Sequence, residues 1–146
     1  MNRYDRQMRL PEIGETGQRR LAGATVVIVG AGGLGAPASL YLAAAGVGTL
    51  RLVDFDRVDR SNLHRQVLYT EADVHRPKVE AAADRLRQRN SEITVETVDA
   101  PFGPDNAPDI LRGADVVLDG TDAFATRYLV NDAARLAGVP NVFASV

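Results

Sequence analysis

The sequence has no cysteine and no tryptophan, and it has only two histidines. Without cysteine the chain can form no disulfide, and a zinc site with cysteine ligands is excluded within these residues. A thioester step would need a thiol from elsewhere. The histidines, His64 and His75, are widely spaced with no third ligand in view. A surface role, or a role beside a phosphate, is therefore favoured over a metal pair.

Long apolar runs are also missing, because no segment approaches the roughly 18 apolar residues that a membrane-spanning helix needs. The first residues are polar and carry arginine, unlike a signal peptide. A net charge of −2 gives no positive field that would attract nucleic acid or a membrane surface. The 146 residues fit one globular domain, residues 1–146, and we expect it to be cytoplasmic.

Lysine is also scarce, because Lys78 is the only lysine among the 17 lysine and arginine residues. A bias of this kind reflects codon composition that favours arginine, so that lysines without a specific role are replaced by arginine. Lys78 would then mark a position whose role arginine cannot fulfil. Chance retention on a helix surface is the alternative.

Hydrophobic patterning predicts strands that alternate with helices. We expect strands at 25–29, 50–54, 93–98, 115–119 and 141–146, and helices at 34–45, 77–89, 110–112 and 124–137. Ser61 or Asn62 is expected to cap a short turn. The alternation predicts a doubly wound, Rossmann-like α/β fold with a mostly parallel sheet of order 3-2-1-4-5 and an N-terminal helical segment. Its ligand crevice lies at the carboxyl ends of strands 1 and 4.

A glycine-rich turn follows the first strand, with glycines at positions 30, 32, 33 and 35 (Gly30, Gly32, Gly33, Gly35). Glycines in this pattern let backbone N–H groups approach a phosphate at a helix N-terminus. Packing alone also produces such turns. Asp54, at the end of the second strand, is placed to accept the hydroxyls of a ribose, which strengthens the nucleotide interpretation. An NAD-dependent dehydrogenase fits equally well up to this point.

Cationic and polar residues after the second strand favour a triphosphate over NAD. Ser61, Asn62, Arg65 and Gln66 lie over the same crevice, and Lys78 begins the next helix. Arginine offers phosphate a bidentate fork and lysine a compact charge. Any one of these residues alone fits a solvated surface position, so the interpretation depends on their joint placement.

Acidic residues flank the fourth strand. Thr121 and Asp122 follow it, where a carboxylate can hold Mg²⁺ together with phosphate oxygens. Asp115 begins the strand and therefore lies at the end away from the crevice. Asp119 is nearer to the crevice, but its position in a packed strand fits a carboxylate that bonds only to local backbone. Asp56 and Asp59, after the second strand, also fit simple loop charges.

Together these motifs resemble the ThiF/MoeB/HesA family, the bacterial E1-like enzymes that activate ubiquitin-like sulfur carriers for molybdopterin or thiamine synthesis. The resemblance covers essentially the whole chain. It rests on seven ordered motifs: Arg3-Tyr4-Asp5-Arg6-Gln7, Gly30-Ala31-Gly32-Gly33-Leu34-Gly35, Ala44-Ala45-Gly46-Val47-Gly48, Val53-Asp54-Phe55-Asp56, Ser61-Asn62-Leu63-His64-Arg65-Gln66, Pro77-Lys78 and Gly120-Thr121-Asp122.

The resemblance implies an adenylyltransferase. In the family, the C-terminal carboxylate of a carrier protein that ends in Gly-Gly attacks the α-phosphate of Mg-ATP. It implies that Gly33 approaches the phosphates, that Asp54 binds ribose with Asp56 beside it, and that Asp122 serves Mg²⁺. Asn62, Arg65 and Lys78 would contact the phosphates. Arg6 matches the arginine that a homodimer supplies to its partner's ATP. Zinc is not expected within these residues.

Two departures from the family pattern stand out. Many members have Gly-Thr-Asp-Asn where this chain has Gly120-Thr121-Asp122-Ala123, so any contact made by that amide is missing. Family domains also continue past the fifth strand, so we expect these residues to be the N-terminal part of a longer adenylation domain, or alternatively a natural half-domain that a partner completes. The alternatives are an NAD-dependent oxidoreductase and a catalytically silent dimerisation or docking module.

Overall fold

A computed structural model describes residues 2–144, whose strands form a five-stranded sheet. The strands are β1 (Thr25–Val29), β2 (Thr49–Val53), β3 (Thr94–Val98), β4 (Val116–Asp119) and β5 (Asn141–Phe143). All neighbouring strands pair in parallel, in the order β3-β2-β1-β4-β5. The predicted fold class and strand order are confirmed. The predicted end of the fifth strand at 146 lies outside the described residues.

Helices cover the sheet and precede it. They are α1 (Asp5–Met8), α2 (Gly14–Gly23), α3 (Gly35–Ala45), α4 (Lys78–Arg89), α5 (Ala107–Leu111) and α6 (Phe124–Ala137). Short 3₁₀ turns occupy Arg60–Asn62 and Glu71–Asp73. The expected N-terminal helical segment is present as α1 and α2. Among residues 2–144, no helix is both long and apolar enough to cross a membrane.

Both faces of the sheet are buried, which explains why its central strands are apolar without alternation. On one face Ile28 and Leu52 pack with α3 and with Leu86 of α4. On the other face Val27 and Val117 pack with residues of α5 and α6. The carboxyl edge of the sheet is left open between these layers, as the predicted crevice requires.

Three local predictions are wrong in detail. The 3₁₀ turn is capped by the Asp59 side chain, which accepts from the Ser61 N–H at 2.7 Å, and not by Ser61 or Asn62. Hydrogen bonds from the Ser61 hydroxyl and backbone lower the pKa of this carboxyl. Pro77 is the residue before α4 and not its first helical residue. Helix α5 begins at Ala107, because Pro108 starts a helix well in its first turn.

The N-terminal segment lies at the edge of the sheet opposite the crevice. Both Gln7 and Gln18 donate to the carbonyl of Ala45, the last residue of α3. The Tyr4 ring packs under Gly46, whose φ of 84° suits glycine in this left-handed conformation. Helix α3 begins at the crevice and its 11 residues extend about 16 Å away from it. The N-terminal segment is therefore held at the far end of the domain.

Candidate nucleotide-binding site

A cavity of about 590 Å³ opens at the carboxyl ends of β1, β2 and β4. It collects most of the residues that the sequence analysis selected: Gly30, Gly32, Gly33, Asp54, Asp56, Asn62, Arg65, Gln66, Lys78, Thr121 and Asp122. Arg6, Ser61 and Gly35 are not among the residues that line it. Segments separated by up to about ninety positions thus meet at the place where a doubly wound sheet binds its ligand.

The glycine turn divides its backbone groups between the protein and the cavity. The Gly30 N–H donates to the Val53 carbonyl at 2.8 Å, and the Ala31 N–H donates to Asp54 Oδ2 at 2.7 Å. By contrast, the N–H groups of Gly32, Gly33 and Leu34 have no acceptor among residues 2–144. Unpaired donors at the start of a helix bind anions. The open amides therefore belong to the second half of the turn.

Gly30 and Gly35 serve the shape of the turn. Gly30 has a φ of 89°, and a Cβ there would lie 3.0 Å from the Gly120 carbonyl of the neighbouring strand end. A Cβ on Gly35 would overlap the Gly30 carbonyl oxygen. These two glycines let the turn close on itself and on β4. Gly35 is therefore a packing residue, which explains its absence from the cavity wall.

Asp54 connects β2 to the turn. Its Oδ2 accepts from Ala31, and its Oδ1 accepts from the Asp56 N–H at 2.8 Å. A carboxylate oxygen has two lone pairs, so each oxygen can still accept a second donor. Asp54 is thus both a fixed part of the turn and an available acceptor for ligand hydroxyls.

Lys78 is the buried cation of the site, with 4% of its surface exposed. The Lys78 Nζ lies 2.8 Å from Asp56 Oδ2, and the backbone N–H of Lys78 donates to the backbone carbonyl of Asp56 at 3.0 Å. Asp56 itself is half-exposed on the cavity wall. By its position alone Asp56 fits a loop charge, and the family motif puts it beside the ribose. In the structure it is the ion-pair partner of Lys78 at the cavity.

The loop after β2 places its polar groups against the turn. Arg65 lies beside Gly33, where an added Cβ would be 3.9 Å from the arginine Nε, an ordinary van der Waals contact. The Arg65 guanidinium has no ion-pair or hydrogen-bond partner within the described part of the chain. Gln66 is buried beside Gly32. Ser61 does not line the cavity, and its hydroxyl donates to Asp59 Oδ1 at 2.5 Å.

Asp73 anchors the far end of this loop. It is 3% exposed, accepts from the Thr70 backbone and hydroxyl, and pairs with Arg76 and Arg85. Burial raises the pKa of the Asp73 carboxyl, but the bonds from Thr70 and Arg76 outweigh burial and lower it. The carboxylate therefore stays charged and fixes the segment that leads into Lys78.

Acidic groups at the end of β4 complete the opposite wall. The exposed carboxylate of Asp122 has no ion-pair or hydrogen-bond partner among the described residues. Asp119 is 1% exposed and accepts from the Thr121 N–H and hydroxyl, as the sequence suggested. Asp115 accepts from Thr25 at the other end of the strand. Within residues 2–144, no group of three or more His, Asp or Glu side chains is arranged to hold a metal ion by itself.

Sequence reasoning missed several wall residues. Ala100, Pro101 and Phe102 line the cavity after β3, and Arg127 of α6 lines it beside Asp122. The Arg127 guanidinium lies 4.9 Å from the centre of the Phe143 ring, and its Nε donates to the Thr121 carbonyl at 3.0 Å. Pro101 lies at a strand end, which was a usable signal. Arg127 carries no local pattern that distinguishes it from other helix arginines.

Arg6, His64 and His75 are exposed away from the cavity wall. Arg6 precedes Gln7, which is bound at the far end of α3. The distance along α3 is greater than an arginine side chain can cross, so Arg6 does not reach the cavity of its own chain.

The fold and the open amides at the carboxyl edge define a Rossmann-type domain whose glycine turn has the backbone geometry that can bind an anion. A family model described as the ThiF family matches residues 4–146, and the chain belongs to that family. It is 54% identical over 144 residues to a Mycobacterium tuberculosis protein named "Probable adenylyltransferase/sulfurtransferase MoeZ". It is 53% identical over 146 residues to a "Sulfur carrier protein adenylyltransferase" from Thermus thermophilus.

A solved structure of the E. coli tRNA N6-threonylcarbamoyladenosine dehydratase TcdA in complex with ATP is also similar. It superimposes with a TM-score of 0.90 at 32% identity, over 97% of this chain and 58% of that one. The alignments cover 99% and 100% of this chain, but only 37% of MoeZ and 54% of the Thermus protein. The chain thus spans about half or less of the length of these relatives.

Proposed function

We propose that the cavity binds ATP and that the domain adenylates the C-terminal glycine carboxylate of a ubiquitin-like sulfur carrier protein. The observation that supports this most is the convergence of Arg65, Lys78 and Asp122 around the open amides of the glycine turn. The Thermus relative is named a sulfur carrier protein adenylyltransferase, and TcdA was solved with ATP. Synthesis of molybdopterin or thiamine is the proposed setting.

The cavity suggests how ATP would lie. Asp54, between the apolar residues after β3 and the glycine turn, accepts the ribose hydroxyls. The base then packs on the side of Pro101 and Phe102, and the phosphates lie on the side of Gly32 and Gly33. Arg65 and Lys78, with Asn62 and Gln66, supply the cationic and polar contacts to the phosphates.

The proposed reaction brings one anion against another. A carboxylate oxygen of the carrier forms a bond to the α-phosphorus, and the bond from that phosphorus to the bridging oxygen of the leaving group breaks. The products are an acyl-adenylate and pyrophosphate. Catalysis therefore consists mainly of positioning and charge neutralisation. Lys78 is suited to this role because its burial strengthens its field at the phosphates.

Asp122 fits a magnesium ion by its chemistry. Magnesium prefers hard oxygen ligands and is usually held by one or two carboxylates together with substrate phosphates. Asp122 offers a carboxylate on the cavity wall that is unpaired within residues 2–144, and Thr121 lies beside it. When bound, the ion would neutralise charge on the phosphates.

An NAD-dependent oxidoreductase shares this fold and this turn. Such domains hold the cofactor diphosphate largely through backbone N–H groups. In an oxidoreductase, Arg65, Lys78 and Asp122 would therefore have no role in binding the cofactor. A silent docking module would need none of them. The concentration of these side chains at one cavity therefore favours the adenylyltransferase.

Carrier-dependent exchange of labelled pyrophosphate into ATP tests the proposed activity. The protein is incubated with ATP, Mg²⁺ and a ubiquitin-like carrier that ends in Gly-Gly. We expect exchange with this carrier and none with the same carrier lacking that dipeptide. Exchange that is absent with both carriers, from protein that binds ATP, would favour the silent module.

Arg6 is proposed to act on the nucleotide of a partner subunit in a homodimer, because it does not reach its own cavity. Arg6→Ala and Asp122→Ala should each inactivate the enzyme. Mixed one to one, they should regain up to about a quarter of wild-type exchange, since half of the dimers are hybrids with one intact site. A mixture without recovery would contradict action across the dimer. Mixing each variant with itself is the control.

A further inference from the structure

Tyr69 contacts the glycine turn from outside the cavity. Its hydroxyl donates to the Ala31 carbonyl at 2.7 Å in a fully buried hydrogen bond. The residue is 4% exposed, and its ring belongs to the core formed with α3 and α4. Tyr69 follows Arg65 and Gln66 on the same loop. This bond therefore connects the glycine turn to the loop that carries the side chains proposed to contact the phosphates.

The geometry of the peptide bond gives this contact a consequence for the ligand. The Ala31 carbonyl and the Gly32 N–H belong to one planar trans peptide and point in opposite directions. A carbonyl held toward Tyr69 therefore directs the Gly32 N–H away from the core. Gly32 lines the cavity, and this N–H is the first open donor of the turn. Asp54 fixes the preceding peptide through the Ala31 N–H.

We propose that Tyr69 is a positioning residue that locks the Ala31–Gly32 peptide so that the Gly32 N–H faces the phosphates of the bound nucleotide. This inference extends the proposed ATP site. Burial, and then the charges of Asp54 and Asp73, raise the pKa of the Tyr69 phenol. The hydroxyl therefore stays protonated and remains a donor at physiological pH.

Tyr69→Phe tests the lock because it removes one hydroxyl and keeps the ring. The Ala31 carbonyl would be left buried without its donor, so the peptide would gain freedom to rotate. We expect the Kd for ATP to rise about five- to tenfold. The Kd for adenosine, which has no phosphate, should stay within twofold of wild type. Calorimetric titration measures both. An unchanged Kd for ATP, or an equal loss for adenosine, would overturn the proposal.

Tyr4→Phe is the matched control. Tyr4 is also buried, and its hydroxyl accepts from Asn90 Nδ2 at 2.8 Å at the far end of α3. This variant should lose thermal stability to a similar extent and bind ATP as wild type does. A loss of ATP affinity in Tyr4→Phe equal to that in Tyr69→Phe would assign the effect to stability and contradict a local role.

Backbone ¹⁵N relaxation of the free protein tests the lock without a nucleotide. In Tyr69→Phe the order parameter of the Gly32 N–H should fall below its wild-type value, while the order parameters of core amides stay unchanged. Equal order parameters for Gly32 in the two proteins would refute the lock even if ATP binding fails for another reason. Should Tyr69→Phe not fold, the wild-type Tyr69 hydroxyl proton provides the readout. Its exchange should slow with ATP but not with adenosine, and equal slowing would refute the proposal.

Discussion

Replacing Lys78 with alanine is expected to reduce pyrophosphate exchange about 100- to 1,000-fold, the effect of removing one buried charge-stabilising donor. Lys78 is almost fully buried and its ammonium is held at the cavity by Asp56. Because its charge is assigned to the outer phosphates, the Kd for ATP should rise much more than the Kd for AMP. Equal losses for the two nucleotides would contradict this assignment.

Lys78→Met and Lys78→Arg are the controls for this prediction. Methionine keeps an apolar stem in the buried space but lacks the charge, so Lys78→Met should fold and be as inactive as Lys78→Ala. Arginine keeps the charge, but its planar guanidinium is larger than the ammonium that the site encloses. Lys78→Arg should therefore recover only part of the activity. Full activity in Lys78→Arg would favour chance retention of the single lysine.

Gly35→Ala is expected to unfold or open the domain at the glycine turn. Its Cβ would overlap the Gly30 carbonyl oxygen and lie 2.9 Å from the Gly30 carbonyl carbon. Both are backbone atoms, so the turn cannot yield without breaking its contacts to β2 and β4. The free energy of unfolding should fall by about 3 kcal/mol or more. Chemical denaturation measures this loss, and ATP binding should disappear with it.

Two other glycines separate folding from binding. A Cβ on Gly33 would meet Arg65 no closer than 3.9 Å, so Gly33→Ala should fold normally. The added methyl would occupy space in front of the open amides, and ATP affinity should fall. A Cβ on Gly23 of α2 meets no described atom within 4 Å beyond its neighbouring backbone, so Gly23→Ala should leave ATP affinity unchanged and should not lower stability. For Gly35→Ala, a free energy of unfolding equal to that of wild type would contradict the close approach of Gly35 to the Gly30 carbonyl.

The fold was predictable because its signals are local. The apolar segment Thr25–Val29 and the glycine Gly46 each specify their own element, and alternation of strands and helices then determines the order. Helix α5 begins at Ala107 and not at the predicted residue 110, because Pro108 is favourable in the first turn of a helix. The φ of 74° at His75 could not be predicted, since that conformation is set by surrounding contacts and not by the residue type.

The position of a residue at the cavity was predictable where a motif placed that residue after a strand, as for Asp54 and Asp122. Partnerships across the sequence were not predictable. The pairing of Lys78 with Asp56 spans 22 positions, and the bond from Tyr69 to Ala31 spans 38. Arg127 also lines the cavity, and it does so only because of the way in which α6 packs beside the carboxyl end of β4. Such contacts depend on how helices and loops pack, which periodicity does not encode.

The proposed ATP site consists of the glycine turn and the charged side chains around it. Parallel calorimetric titrations of this chain with ATP in the presence of Mg²⁺ and with NAD test it directly. We predict that ATP binds at least about tenfold more tightly than NAD, and that Lys78→Met removes most of this preference. Tighter binding of NAD, unaffected by Lys78→Met, would contradict the proposed ATP site.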